Sequence, residues 1–156
     1  MIGTETGNGP TGIPPGSGRV ALVTGAARGI GAATVVALAA AGWSVLAVDR
    51  CADDPALPYR LATRADLDAV VAGAAGGPGE VAGLAADTRD REAMTAAVAE
   101  AGRRWGGLDA ALAVAGVIAG GVPLWEMPAE QEEAVLSTDL GGVLTLARVD
   151  VPEAPI

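Results

Sequence analysis

Three glycines that follow a short apolar run constrain this chain more than any other feature. The run at 19–24 leads directly into Gly25, Gly29 and Gly31, and an alanine-rich stretch at 32–41 comes next. A short apolar run that ends at glycine is typical of a strand buried on both faces. The spacing therefore predicts a strand, a tight glycine turn and a helix, packed closely together.

The rest of the chain repeats this alternation. A second apolar run at 43–48 ends at Asp49 and Arg50. Beyond it the pattern predicts a helix at 66–75 capped by Asp66, a strand at 80–86, a helix at 90–105, a strand at 108–114, a loop at 115–123 and a helix from about Pro128 to Arg148. Strands that alternate with helices favour an α/β fold, with a parallel sheet covered by helices on both faces.

The glycine turn has the residues that a dinucleotide pyrophosphate requires. Gly25 permits the tight turn, Gly29 lets the backbone approach the phosphates, and Gly31 lets the helix pack against the sheet. The amides around Arg28 and Ile30 at the helix N-terminus would face the anion. A P-loop is excluded because it needs a lysine and the chain contains none.

Asp49 follows Gly31 by eighteen residues and ends the second predicted strand. A carboxylate there accepts hydrogen bonds from both ribose hydroxyls and repels a 2′-phosphate, at a cost of about 4 kcal/mol for charges ~4 Å apart. This predicts NAD in preference to NADP, with Arg50 beside the ribose. Arg28 could instead pair with a 2′-phosphate or remain a solvated surface arginine. We give Asp49 more weight because it would lie against the ribose.

Asp87 and Thr88 end the third predicted strand at the same edge of the sheet. The carboxylate of Asp87 could accept from the adenine amino group, and the next backbone amide could donate to the ring. The alternative is that these residues cap the helix that begins at Asp90.

Composition narrows the functional classes. The chain is 51% hydrophobic and 19% charged, which is typical of a globular protein, and its net charge of −9 disfavours nucleic acid as a partner. The longest apolar helical stretch, 32–41, is too short to cross a membrane. The single cysteine, Cys51, fits a reducing cytoplasm and offers no cysteine-based metal site. Residues 1–18 are rich in Gly, Pro and Thr, which predicts a disordered tail without a targeting signal.

The chain resembles the short-chain dehydrogenase/reductase family over 19–148. The resemblance is carried by the glycine motif from Thr24 to Gly31, by Asp49 and Asp87, and by Leu108-Asp109 with Ala115-Gly116. The resemblance implies a Rossmann-type doubly wound sheet with strand order 3-2-1-4. It also implies NAD-dependent hydride transfer between an alcohol or carbonyl and nicotinamide. Ala113, Ala115 and Gly116 would contact the cofactor after the fourth strand.

The segment 51–64 resembles the insertion of the mycofactocin-coupled, carveol-dehydrogenase-like branch of that family. The resemblance is carried by Asp49-Arg50-Cys51, Pro58-Tyr59, and Ala62-Thr63 with Asp66-Leu67. It implies that the segment covers bound NAD, and that electrons leave to a separate redox partner instead of by cofactor exchange.

The chain departs from the family pattern at its catalytic positions. The family's Asn-Asn-Ala-Gly is Ala113-Val114-Ala115-Gly116 here, and the family's helix asparagine falls on Asp139. The family's serine and Tyr-x-x-x-Lys are not found after the fourth strand. The only tyrosine, Tyr59, precedes the third strand and has Thr63 four residues later.

These departures predict a Rossmann domain at 19–150 that is truncated after about four strands, followed by a tail at 151–156. Such a chain would bind NAD, lack catalysis of its own, and self-associate through its exposed edge strand and last helix. Two alternatives remain open from the sequence: a methyltransferase that binds S-adenosylmethionine, and a non-catalytic remnant.

Overall fold

A computed structural model describes residues 18–150. Four parallel strands form one sheet: β1 Val20–Thr24, β2 Ser44–Asp49, β3 Val81–Ala85 and β4 Ala110–Leu112. Their order is β3-β2-β1-β4, so the predicted doubly wound α/β fold is confirmed. The predicted tails at 1–18 and 151–156 lie outside the described residues, apart from Gly18.

Helices cover both faces of this sheet. They are α1 Gly29–Ala40, α2 Arg64–Ala74, α3 Arg91–Trp105, a short 3-10 turn at Leu124–Glu126, and α4 Ala129–Val135, which continues through a π-helical turn at Leu136–Gly141 into α5 Gly142–Asp150. Helices α1 and α2 pack on one face, and α3 and α5 pack on the other. Within residues 18–150, no helix has the length and apolarity needed to cross a membrane.

The two faces of β1 explain why its sequence is an unbroken apolar run. Val23 belongs to a buried cluster with Val35 of α1, whereas Leu22 belongs to a separate cluster with Met94 of α3 and Leu146 of α5. Successive side chains of a strand point to opposite faces, so a sheet with helices on both sides requires apolar residues at every position. The sequence predicts an exposed last helix, but Leu146 of that helix is buried in this second cluster.

Helix α1 begins at Gly29, three residues earlier than its alanine-rich stretch predicts. Low helix propensity argues against glycines in a helix, but here close packing overrides it. A Cβ on Gly31 would lie 2.0 Å from the carbonyl oxygen of Gly25, so only glycine fits. The helix ends at Ala40, just before Gly42, whose φ of 86° is left-handed, and the amide of Trp43 donates to the carbonyl of Leu38.

Other boundaries also differ from the sequence pattern. Thr63, not Asp66, is the N-cap of α2: the Thr63 hydroxyl accepts from the amide of Asp66, whose carboxylate accepts from the amide of Thr63. Strand β4 is shorter than 108–114 because only Ala110–Leu112 pairs with β1. The last helix runs through Gly142, where it packs closely against Thr88.

Candidate functional site

A cleft of about 290 Å³ lies where the carboxyl ends of the parallel strands meet. Such an edge is the usual ligand site of a doubly wound sheet. The structure brings together there almost all the residues predicted from the sequence: Gly25, Arg28, Gly29, Ile30, Gly31, Asp49, Arg50, Asp87, Thr88, Ala115 and Gly116.

The glycine turn forms one wall of this cleft. Gly25 has a φ of +67°, and a Cβ on it would lie 2.7 Å from the Cα of Ala115. Gly29 also has a positive φ, of +57°, but an added Cβ there would meet nothing within 4 Å. The space beside the Gly29 backbone is therefore open, and Gly29 lines the cleft.

The N-terminus of α1 borders the same cleft, because Gly29, Ile30 and Gly31 line it. Its N-cap is Arg28, and no side chain among the described residues caps it. Uncapped amides and the positive end of the helix dipole both favour an anion. The arrangement can therefore hold a phosphate group by backbone contacts alone.

Asp49 is fixed between the glycine turn and the segment that follows β2. One carboxylate oxygen, Oδ2, accepts from the amide of Ala27 at 3.1 Å, and Oδ1 accepts from the amide of Cys51 at 3.1 Å. A carboxylate oxygen can accept more than one hydrogen bond, so both retain capacity for ligand hydroxyls. The backbone of Cys51, whose amide donates the second of these hydrogen bonds, is left-handed, with a φ of 56°.

Asp87 lines the cleft, but its carboxylate already has a protein partner that sequence reasoning missed. Arg89 donates to both oxygens, through Nε at 3.0 Å to Oδ1 and Nη2 at 2.7 Å to Oδ2. Burial raises the pKa of Asp87, but the hydrogen bonds and charge of Arg89 outweigh it, so the pKa lies below its ordinary value. An adenine amino group would share this carboxylate with Arg89.

The alternative that Asp87 or Thr88 caps α3 is wrong. Asp90 is the cap, and its Oδ1 accepts from the amides of Glu92 and Ala93. The buried side chain of Thr88 instead packs against α5, where its hydroxyl donates to the carbonyl of Gly142 at 3.4 Å.

Thr24 is a second residue whose role sequence reasoning missed. Its buried hydroxyl accepts from the amides of Val114 and Ala115, both at 3.2 Å, and donates to the carbonyl of Leu112 at 3.4 Å. These bonds tie the end of β1 to the loop after β4. Thr24 therefore fixes the width of the cleft between these two strands.

Two predicted residues do not line the cleft. Ala113 is exposed, and its neighbours Val114 and Ala115 line the cleft instead. Asp139 lies in the π-helical turn, where its Oδ1 accepts from the amide of Val117 at 2.8 Å. Asp139 thus holds the loop after β4, as a structural contact of the cleft wall.

The segment 51–64 borders the cleft, because its Leu61 and Ala62 contribute to the lining. It is attached on both sides. Arg28 of the glycine turn donates to the carbonyl of Arg60 at 3.2 Å. Across the cleft, the Tyr59 hydroxyl donates to the carbonyl of Ile118 at 2.9 Å and accepts from its amide at 2.8 Å.

The sequence of this chain is similar to a known protein family and to individual relatives. The sequence profile described as short chain dehydrogenase matches residues 19–153. An uncharacterized NAD-dependent oxidoreductase of Mycobacterium tuberculosis is 38% identical over 136 residues, which are 86% of this chain and 49% of the relative.

Solved structures agree with this match. The crystal structure of carveol dehydrogenase from Mycobacterium avium in complex with NAD has a TM-score of 0.83 and 31% identity, over 91% of this chain and 50% of that one. A short chain dehydrogenase from Mycobacterium paratuberculosis bound to NAD has a TM-score of 0.80 and 30% identity, over 88% and 50%. The chain spans about half the length of the proteins it matches.

Proposed function

Because this chain belongs to the short-chain dehydrogenase family, we propose that its cleft binds NAD as the dinucleotide-binding portion of an NAD-dependent alcohol or carbonyl oxidoreductase. The observation that carries the proposal is the uncapped N-terminus of α1 beside the open backbone of Gly29, in one cleft with Asp49. Similar structures bound to NAD support it. The methyltransferase alternative is not favoured, because the relatives named above are oxidoreductases.

Each part of NAD would contact a part of the cleft lining that suits its chemistry. The pyrophosphate would lie on the amides of the glycine turn, and the adenosine ribose would lie on Asp49. The adenine would lie between that acid and Asp87. The nicotinamide would extend toward Gly116 and Thr138, which line the cleft on the side of β4. Bound there, NAD would supply the hydride acceptor.

We expect the cleft to prefer NAD over NADP because Asp49 repels a 2′-phosphate. Calorimetric titration of both dinucleotides tests this, with Asp49→Ser expected to narrow the difference in affinity about tenfold. Asp68→Ser is a matched control, since Asp68 is an exposed acid paired with Arg64 on α2. Equal affinities for NAD and NADP in the unmutated chain would contradict the assignment.

We further propose that the segment 51–64 retains bound NAD, as in the mycofactocin-coupled branch, where a separate redox partner would take the electrons. The two hydrogen bonds between Tyr59 and Ile118 support this, because they join the segment to the opposite wall. Tyr59→Phe should raise the dissociation rate of NADH several-fold in stopped-flow fluorescence. Thr95→Val, which removes an exposed hydroxyl on α3, should leave the rate unchanged.

A polypeptide of these 156 residues should bind the cofactor without turnover. Hydride transfer from an alcohol needs a base for the hydroxyl proton, and a phenol with a pKa near 10 is a poor base without a cation beside it. The sequence contains no lysine. Incubation with NAD and secondary alcohols should produce no NADH, as expected for a binding portion or a non-catalytic remnant. Turnover that disappears in Asp139→Ala would overturn this proposal.

We also propose that the chain self-associates through the region of β4 and α5. Strand β4 is at an edge of the described sheet, and an unpaired edge is a template for further pairing. Val143 and Leu144 of α5 are about two-fifths exposed. Sedimentation velocity should show species larger than a monomer that increase with concentration. A single monomer peak across that range would contradict this proposal.

A further inference from the structure

Asp54 is a buried carboxylate in the segment that follows β2, with only 8% of the residue exposed. Two guanidinium groups converge on its Oδ2 atom, from Arg50 at 2.7 Å and from Arg89 at 3.1 Å. Its Oδ1 atom accepts from the amide of Ala56 at 3.0 Å. The hydrogen bond from Arg50 is the main reason that the pKa of Asp54 lies below its ordinary value.

Both of these arginines line the cleft, whereas Asp54 does not. Each arginine also contacts Asp87, at 3.4 Å from Arg50 and 2.7 Å from Arg89. Two guanidiniums and two carboxylates therefore form a closed, electrically neutral group next to Asp49. Without such pairing, a guanidinium at this place would be well suited to bind a phosphate.

We propose that Asp54 is a positioning residue that determines cofactor specificity: it holds Arg50 and Arg89 in ion pairs and so denies a cation to the 2′-phosphate of NADP. The inference rests on the proposed function, since it requires an adenine dinucleotide in the cleft. Asp49 repels the 2′-phosphate directly. Asp54 acts through the two arginines, which would otherwise compensate that repulsion.

The test is the ratio of NADP to NAD affinity in Asp54→Asn, measured by calorimetry on the whole chain. Asparagine keeps the size of the side chain and removes its charge, so one guanidinium charge beside the ribose site is no longer balanced. The affinity for NADP relative to NAD should rise about tenfold, and the rise should shrink at high salt. A purely structural role would weaken both dinucleotides together and leave the ratio unchanged.

Further variants identify the cause of the shift. Asp68→Asn removes the same charge from an exposed pair on α2 and should leave the ratio unchanged. Adding Arg50→Gln to Asp54→Asn restores neutrality and should remove most of the gain. Asp54→Ser, which is smaller and equally neutral, should produce the same shift and serves if the asparagine variant does not fold.

The outcomes separate this inference from the proposed function. If the unmutated chain binds neither dinucleotide, the proposed function fails and the inference fails with it. If the unmutated chain prefers NAD but the Asp54 variants keep the same ratio, the proposed function stands and the role of Asp54 is overturned.

Discussion

The first βαβ unit and the region from β4 to α5 differ sharply in how completely they are packed. All five residues of β1 are buried, whereas β4 is only partly buried along its length. Among the described residues, the later region also exposes more large apolar side chains, such as Leu136, Leu140 and Leu144, than the first unit, where Ile30 and Val36 are exposed. The glycine turn and Asp49 belong to the well-packed unit. The more completely buried part of the molecule is thus the part that would bind the adenosine and pyrophosphate.

A glycine substitution in each region should give the largest contrast. Gly31→Ala places a Cβ 2.0 Å from the carbonyl oxygen of Gly25 and should lower the free energy of unfolding by about 3 kcal/mol or more. At Gly141 the nearest atom to an added Cβ is 3.7 Å away, an ordinary contact. Gly141→Ala should therefore be neutral or slightly stabilising in urea denaturation. Equal losses in the two variants would contradict the difference in packing.

Truncating one leucine in each region should show the same contrast in the free energy of unfolding. The effect should be no larger than that of the glycine substitutions. Leu22 in β1 is fully buried between helices, so Leu22→Ala should cost about 3 kcal/mol of unfolding free energy. Leu144 in α5 is 43% exposed within a single chain, so at concentrations where the chain is monomeric Leu144→Ala should change stability by about 0.5 kcal/mol or less. A loss as large as that of Leu22→Ala in the monomer would contradict the difference in packing.

Acid should weaken the fold through two paired carboxylates, Asp54 and Asp87, which lie outside both of the regions compared above. The pKa values of Asp54 and Asp87 in the fold lie below their ordinary value of 3.8. Their ion pairs therefore stabilise the fold above that value, and the stabilisation is lost as the pH falls through the lower folded-state pKa. Urea denaturation at neutral pH and at about pH 3 measures how much free energy of unfolding is lost in acid. This loss should be smaller for Asp54→Asn than for the unmutated chain. If Asp54→Asn and the unmutated chain lose the same free energy of unfolding in acid, Asp54 is not paired.

The smallest expected effect is at the start of α2. Thr63→Ala removes a reciprocal cap and should cost about 1 kcal/mol of unfolding free energy. Thr95→Ala, at an exposed position inside α3, is the control and should not destabilise the protein. A loss as large for Thr95→Ala would show that the hydroxyl at Thr63 has no special role.

Features encoded locally were predictable from the sequence. The spacing of Gly25, Gly29 and Gly31 and the acid at Asp49 predicted the turn and the edge of the sheet where the cleft lies. The pair Thr63 and Asp66 also has the local spacing of a reciprocal cap, although the prediction above names Asp66 alone as the cap.

Contacts between distant parts of the chain were not predictable in the same way. Arg89 donates a hydrogen bond to Asp54, which is 35 positions away in the sequence. The Thr24 hydroxyl accepts from the amide of Ala115, which is 91 positions away. Side chains that are far apart in sequence leave no periodicity or spacing that a single sequence can reveal. The neutral group of two arginines and two carboxylates next to Asp49 therefore forms only in the folded chain and leaves no signal in the sequence.

The central claim, that NAD binds at the carboxyl ends of these strands, is tested most directly by amide NMR shifts during a titration of isotope-labelled protein with NAD. The largest shifts should fall on the glycine turn at 25–31, on Asp49 and on the loop at 114–117, all of which border the cleft. The turn at 76–79, which precedes β3 at the opposite end of the sheet, should not move. Largest shifts at 76–79, or no shifts at saturating NAD, would contradict the account.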